Sequence, residues 1–95
     1  MTIPQGDKFN AMCDKQSISF LGVFGSQARG DATEQSDIDV LVDFSETKSF
    51  FELSRIQDEL QTIFGKKVDL VLRTHIKDRL KPSILKDLIT IYEKR

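Results

Sequence analysis

The chain has 95 residues and a mass of 10.9 kDa, which predicts a single domain over residues 1–95. Charged residues make up 31% of it and no apolar run approaches the roughly 18 residues of a membrane span, so neither a disordered chain nor a membrane protein is expected. Cys13 is the only cysteine, which excludes an internal disulfide and favours a reducing cytoplasm.

Charge is distributed unevenly along the chain. Residues 31–59 contain nine acidic and two basic side chains, whereas residues 74–95 contain six basic and three acidic ones. An acidic middle beside a basic end lacks the dominant positive surface that duplex binding needs, so no direct nucleic-acid binding is expected. The acidic middle is instead expected to attract cations.

The hydrophobic pattern and the glycine and proline positions predict alternating helices and strands. In chain order the predicted elements are a helix over residues 5–16, a strand over Ile18–Phe24, a short helix between Gly25 and Gly30, a strand over Asp37–Phe44, a helix from Thr47 or Ser49 to Phe64, a strand over Lys67–Leu72 and a last helix from Pro82. The last helix is expected to present four side chains to the core, Leu85, Leu88, Ile89 and Tyr92. This order predicts an α/β (α+β) fold in which helices pack on a small mixed sheet of about three strands.

The strand over Asp37–Phe44 begins with two carboxylates on one face. Residues two apart on a strand point the same way, so the side chains of Asp37 and Asp39 can converge. Converging carboxylates repel each other, and a divalent cation such as Mg²⁺ removes that repulsion. An isolated Asp-x-Asp is more often a solvated strand face, so the pair needs support from other residues.

Asp69, on the next predicted strand, can join the pair if the two strands are neighbours. Three carboxylates can hold two ions about 3.5–4 Å apart, the spacing used for in-line phosphoryl displacement. The alternative is that Asp69 is a surface carboxylate paired with Lys66 or Lys67.

Gly25 and Ser26 follow a predicted strand and precede a predicted helix. A glycine there lets the backbone approach a phosphate closely, and the N–H groups at the start of a helix favour anions. The Ser26 hydroxyl can add a hydrogen-bond donor. An isolated Gly-Ser is usually a turn, but beside the carboxylates it predicts a nucleoside triphosphate held by its tail, with metal ions at the α-phosphate.

Three segments together resemble the minimal nucleotidyltransferases of the DNA polymerase β superfamily, whose pattern is G-S-x-A-R-G, a polar spacer, S-D-x-D and a later V-D-L. The matching segments are Phe24–Gly30, Ser36–Val42 and Val68–Val71, with no departure at a catalytic position. The resemblance covers the chain from about Val23 to the last predicted helix and implies a nucleotidyltransferase fold.

The resemblance also implies roles for six residues. Asp37 and Asp39 would bind both Mg²⁺ ions, and Asp69 would hold the catalytic ion and help deprotonate the acceptor hydroxyl. Gly25 and Ser26 would contact the triphosphate of ATP. Arg29 would either touch phosphate or pair with an acidic residue to brace the loop, and these alternatives are evenly balanced.

The resemblance further implies a partner and a reaction. Stand-alone members of the family are commonly encoded with a helical HEPN-domain protein, a ribonuclease toxin, and transfer AMP from ATP to a tyrosine of that toxin. We therefore expect an Mg²⁺-dependent protein adenylyltransferase that acts as an antitoxin in a hetero-oligomer with a HEPN-type toxin. The alternative is an antitoxin that neutralises its partner by binding alone. Transfer to a small molecule such as an aminoglycoside is a weaker alternative, because little of the chain remains to select a small acceptor.

Overall fold

A computed structural model describes residues 4–94 of the protein as four helices and four strands joined by short connections. The helices are α1 (Asp7–Lys15), α2 (Ser26–Arg29), α3 (Phe50–Phe64) and α4 (Lys81–Asp87). The strands are β1 (Ile18–Phe24), β2 (Ile38–Phe44), β3 (Val68–Leu72) and β4 (Ile89–Glu93). Two single 3₁₀ turns, Arg73–His75 and Asp78–Leu80, connect β3 to α4.

The four strands form one mixed sheet in the order β3-β2-β1-β4. β1 pairs antiparallel with β2 and with β4, whereas β2 pairs parallel with β3. β1 and β2 are the central strands, and their apolar side chains are the most buried in the sheet; those with no exposed surface are Ile18, Leu21, Val23, Ile38, Val40, Leu41 and Val42. The expected α/β class, with helices on a small mixed sheet, is confirmed.

Helix α3 connects the parallel strands β2 and β3 and has clear signals at both ends. The Ser49 side chain accepts a hydrogen bond from the Glu52 N–H, and the Glu52 carboxylate accepts one from the Ser49 N–H, which is a capping box. Gly65 ends the helix in the left-handed conformation, with φ 69°. Ile56 and Leu60 are buried, whereas Ile63 in the last turn is 41% exposed.

The predicted last helix is wrong beyond Asp87, where the chain turns into strand β4 and adds a fourth strand to the sheet. Leu88 is extended, with ψ 127°, and Ile89–Glu93 then pair with the free edge of β1. β-branched and aromatic residues suit a strand, and pairing with β1 decided between the two conformations. Leu85, which was expected to face the core, is 51% exposed.

Within residues 4–94, none of the helices has both the length and the apolar character required to cross a membrane.

Candidate active site

The parallel pairing of β2 with β3 places Asp39 directly beside Asp69. Neighbouring strands lie about 4.8 Å apart, and paired residues direct their side chains to the same face of the sheet. On its other side, Asp39 pairs with Phe24, the last residue of β1. Asp69 forms no ion pair within residues 4–94, and Lys66 instead donates hydrogen bonds to the carbonyl oxygens of the loop before β2.

Asp37 lies just ahead of β2, in a loop that local hydrogen bonds hold in place. The Gln27 side chain donates a hydrogen bond to the Ser36 carbonyl oxygen at 3.3 Å, which ties α2 to this loop. The Thr33 N–H donates to the Ser36 hydroxyl at 2.9 Å. The Ile38 N–H donates to the Lys67 carbonyl oxygen at 2.9 Å, where the pairing of β2 with β3 begins. Asp37 is thereby positioned one residue before the strand.

The pKa of Asp39 is shifted by its burial and by its two acidic neighbours. Partial burial raises the pKa of Asp39 above its usual value, and the negative charges of Asp69 and Asp37 raise it further. The positive charge of Arg29 opposes these effects and lowers this pKa. The charges of Asp37, Asp39 and Asp69 therefore repel one another, and a bound cation would relieve that repulsion.

The donor atoms in this space suit Mg²⁺ bound together with a nucleotide. Residues 4–94 contain no group of three or more His, Cys, Asp or Glu side chains already gathered at metal-binding spacing. Mg²⁺ is usually bound by one or two carboxylates, and phosphate oxygens and waters complete its octahedron. Asp39 with its neighbours Asp37 and Asp69 supplies such a partial set of hard oxygen ligands.

Gly25 follows β1 and brings the backbone against Asp39. Its φ is +76°, a conformation that residues with a side chain rarely adopt. A Cβ atom at this position would collide with Oδ2 of Asp39 and lie 3.3 Å from its Cγ. Only glycine therefore permits this approach. Helix α2, which starts at Ser26, has four residues, so its dipole contributes less to anion binding than the close backbone approach does.

Arg29 lies at the end of α2 and pairs with two carboxylates. Its Nε is 3.1 Å from Oδ2 of Asp31, and its Nη1 is 3.0 Å from Oδ2 of Asp87 at the end of α4. The hydrogen bonds that Arg29 donates to Asp87 and to Asp31 raise the pKa of its guanidinium above the usual value, with the Asp87 bond having the larger effect. Of the two alternatives for Arg29, bracing by acidic residues is the one that these contacts support.

Two grooves meet at Asp39. The first, called here the Gly25 groove, has a volume of about 360 Å³ and is lined by Phe24, Gly25, Ser26, Arg29, Asp39, Ser83, Ile84 and Asp87. The second, called here the Asp69 groove, has a volume of about 420 Å³ and is lined by Phe24, Asp39, Asp69, Val71, His75, Ile76, Lys77, Arg79, Leu80 and Ile84. A cavity of about 440 Å³ beside Glu46 and Lys48 contains none of the predicted site residues.

Several groove residues were missed by sequence reasoning. Ser83 and Ile84 come from α4, and Lys77 and Arg79 come from the segment between β3 and α4. The excess of basic residues over 74–95 was the available signal, but it did not show which of them lie beside Asp69.

Comparison with known proteins gives both a family and relatives. Residues 8–91 match the family described as nucleotidyltransferase domain. A Methanocaldococcus jannaschii protein provisionally named a protein adenylyltransferase is 42% identical over 82% of this chain and 81% of its own. The protein adenylyltransferase MntA of Thermococcus cleftensis is 37% identical over 82% of this chain and 79% of its own.

The fold is also similar to that of a solved structure. A chain from a crystal structure of a toxin–antitoxin with AMP-PNP superimposes with a TM-score of 0.74 over 93% of this chain and 73% of that chain. The two sequences are 19% identical, so this likeness shows a shared fold.

Proposed function

Since the chain belongs to the nucleotidyltransferase domain family, we propose that it transfers AMP from ATP, with Mg²⁺, to a tyrosine hydroxyl of a HEPN-type ribonuclease toxin and acts as its antitoxin. The observation that carries this proposal is the contact geometry around Asp39. Asp69 lies beside it in the parallel ladder, Asp37 adds its charge, and Gly25 fits against its carboxylate. The names of the relatives support the reaction, and the resemblance of the sequence motifs supports the partner.

In the proposed reaction, the acceptor oxygen bonds to the α-phosphorus of ATP as the bond from that phosphorus to the bridging oxygen of the β-phosphate breaks. Pyrophosphate leaves, and the hydroxyl proton passes to Asp69 or to water. Bound Mg²⁺ would neutralise the phosphate charge and make the acceptor hydroxyl easier to deprotonate. Asp37 and Asp39 would hold both ions, and Asp69 would hold the one nearer the acceptor.

The Gly25 groove would hold the β- and γ-phosphates. Gly25 presents backbone without a side chain, and the Ser26 hydroxyl would donate a hydrogen bond to a phosphate oxygen. Arg29 would act indirectly, because its pairing with Asp31 and Asp87 holds α2 against α4 and so fixes the walls of this groove.

A labelled-transfer assay tests the proposal. The protein is incubated with Mg²⁺, with the protein encoded beside it and with each of the four nucleoside triphosphates labelled at the α-phosphate. We expect the label to reach the partner from ATP and to be lost with Asp39→Asn. If no triphosphate labels the partner although the two proteins bind each other, the alternative of neutralisation by binding alone replaces the enzyme.

A further inference from the structure

If the function proposed above is correct, the two grooves hold different reactants. In-line displacement requires the attacking and leaving oxygens on opposite sides of the α-phosphorus. With pyrophosphate in the Gly25 groove and the α-phosphate at Asp39, the acceptor oxygen must arrive from the Asp69 groove. This groove is therefore the entrance for the acceptor.

Two positively charged side chains that line this groove are free to contact a ligand. Lys77 and Arg79 are exposed and have no ion-pair partner within residues 4–94. Two cations of the neighbouring elements are paired: Arg29 with Asp31 and Asp87, and Lys81 with Asp78 at 3.1 Å.

Apart from His75, the remaining wall of the Asp69 groove is apolar. It is formed by Phe24, Val71, Ile76, Leu80 and Ile84. Leu80 is itself 46% exposed. A volume of about 420 Å³ is within the range of about 300–1,000 Å³ that is usual for ligand pockets. The chemistry of the groove therefore fits an apolar or aromatic side chain that is flanked by negative charge.

We propose that the Asp69 groove is the docking surface for the acceptor segment of the protein substrate, and that Lys77 and Arg79 select segments in which acidic residues flank the acceptor tyrosine. The aromatic ring occupies the apolar wall, and its hydroxyl points toward Asp69. The two cations attract the flanking carboxylates, which Asp37, Asp39 and Asp69 would otherwise repel.

Peptide binding tests the docking surface without requiring catalysis. The probes are a peptide with a central tyrosine flanked by two glutamates on each side, and the same peptide with glutamines. Titration of the ¹⁵N-labelled protein at low ionic strength should show tighter binding of the glutamate peptide, with shifts in residues 71–80. In Lys77→Ala/Arg79→Ala the affinity for the glutamate peptide should fall about 2- to 30-fold, the range for two exposed charge contacts.

The matched control removes two positive charges elsewhere. Lys8 and Lys15 are exposed on α1, outside both grooves. Lys8→Ala/Lys15→Ala should bind the glutamate peptide as the wild type does. In the wild type the preference for glutamate over glutamine should decrease as salt is added, because exposed charges are screened.

A second pair of measurements separates this inference from the proposed function. ATP affinity by calorimetry should be equal in the wild type and in Lys77→Ala/Arg79→Ala; a weaker affinity would place the nucleotide in this groove and overturn the inference. If both peptides bind equally, or the glutamate preference survives the double substitution, the inference is also wrong. Charge-dependent peptide binding without AMP transfer from ATP would leave the docking surface standing and reject the proposed reaction.

Discussion

Replacing Gly25 by alanine separates two consequences of the loop geometry, the backbone strain and the contact with Asp39. At φ +76° and ψ −150°, a backbone region that essentially only glycine occupies, a residue with a Cβ is strained by about 1–3 kcal/mol. The added Cβ would also collide with Oδ2 of Asp39, so either the loop or the carboxylate must move. Both movements disturb the place where the Gly25 groove meets Asp39, a proposed metal ligand.

Gly65→Ala is the matched control for this substitution. Gly65 has a similar φ of +69°, but nothing lies within 4 Å of the Cβ that alanine would add. The control therefore carries the strain of a left-handed conformation, with ψ 22°, without the collision, and it lies at the end of α3, outside both grooves. Gly65→Ala should lose about 1–2 kcal/mol of unfolding free energy, and Gly25→Ala should lose more, because its backbone region is less accessible to alanine and its Cβ meets Asp39.

Urea denaturation and AMP transfer, measured on both variants, check this reasoning. Gly65→Ala should transfer AMP at the wild-type rate at a temperature where it is folded. The transfer rate of Gly25→Ala should fall at least about 10-fold, because a displacement of about 1 Å in a positioning element can lower a rate about 100-fold. The transfer rate of Gly25→Val should fall further, since its side chain obstructs more of the backbone. Wild-type transfer by Gly25→Val would refute the assignment of Gly25 to the phosphate-binding loop.

Three further substitutions give distinct results. Ser26→Ala should reduce transfer about 10- to 150-fold, the value of one hydrogen bond to a charged phosphate, and an unchanged rate would remove Ser26 from the site. Asp69→Asn should keep most of the ATP affinity measured by calorimetry and lose most of the transfer rate. A parallel loss of affinity and rate would indicate that Asp69 contacts the nucleotide. Burial and the charges of Asp69 and Asp37 raise the pKa of Asp39, so its ionisation opposes folding and stability falls as pH rises through that pKa. Without metal at pH 7, Asp39→Asn should therefore unfold at a higher urea concentration than the wild type, and this gain should disappear below the usual pKa of an aspartate.

The elements that could be predicted from the sequence are those with strong local signals. β1 has β-branched and aromatic residues bounded by Gly25, and α3 has a capping serine, an apolar stripe and a terminal glycine. β4 could not be predicted in this way, because Ile89–Glu93 take the strand conformation by pairing with β1, which is distant in the chain. Periodicity alone does not distinguish a short buried strand from a helical segment.

Part of the candidate site could likewise be predicted from the sequence, and part could not. The sequence motif predicted that Asp37, Asp39 and Asp69 lie together, and the register of β2 with β3 places Asp39 beside Asp69. Their roles in metal binding stay predictions. Lys77 and Arg79 could not be placed from the sequence, because the path of the chain between β3 and α4 decides which basic side chains line the groove.

The central claim is that the three carboxylates perform AMP transfer to a protein partner. Its most direct test is the intact mass of the protein encoded beside this one, after co-expression with the wild type and with Asp37→Ala/Asp39→Ala. We expect added AMP on the partner with the wild type, no addition with the double variant, and neutralisation of the partner only by the wild type. Equal neutralisation by both proteins, with no change in the mass of the partner, would contradict AMP transfer by these carboxylates.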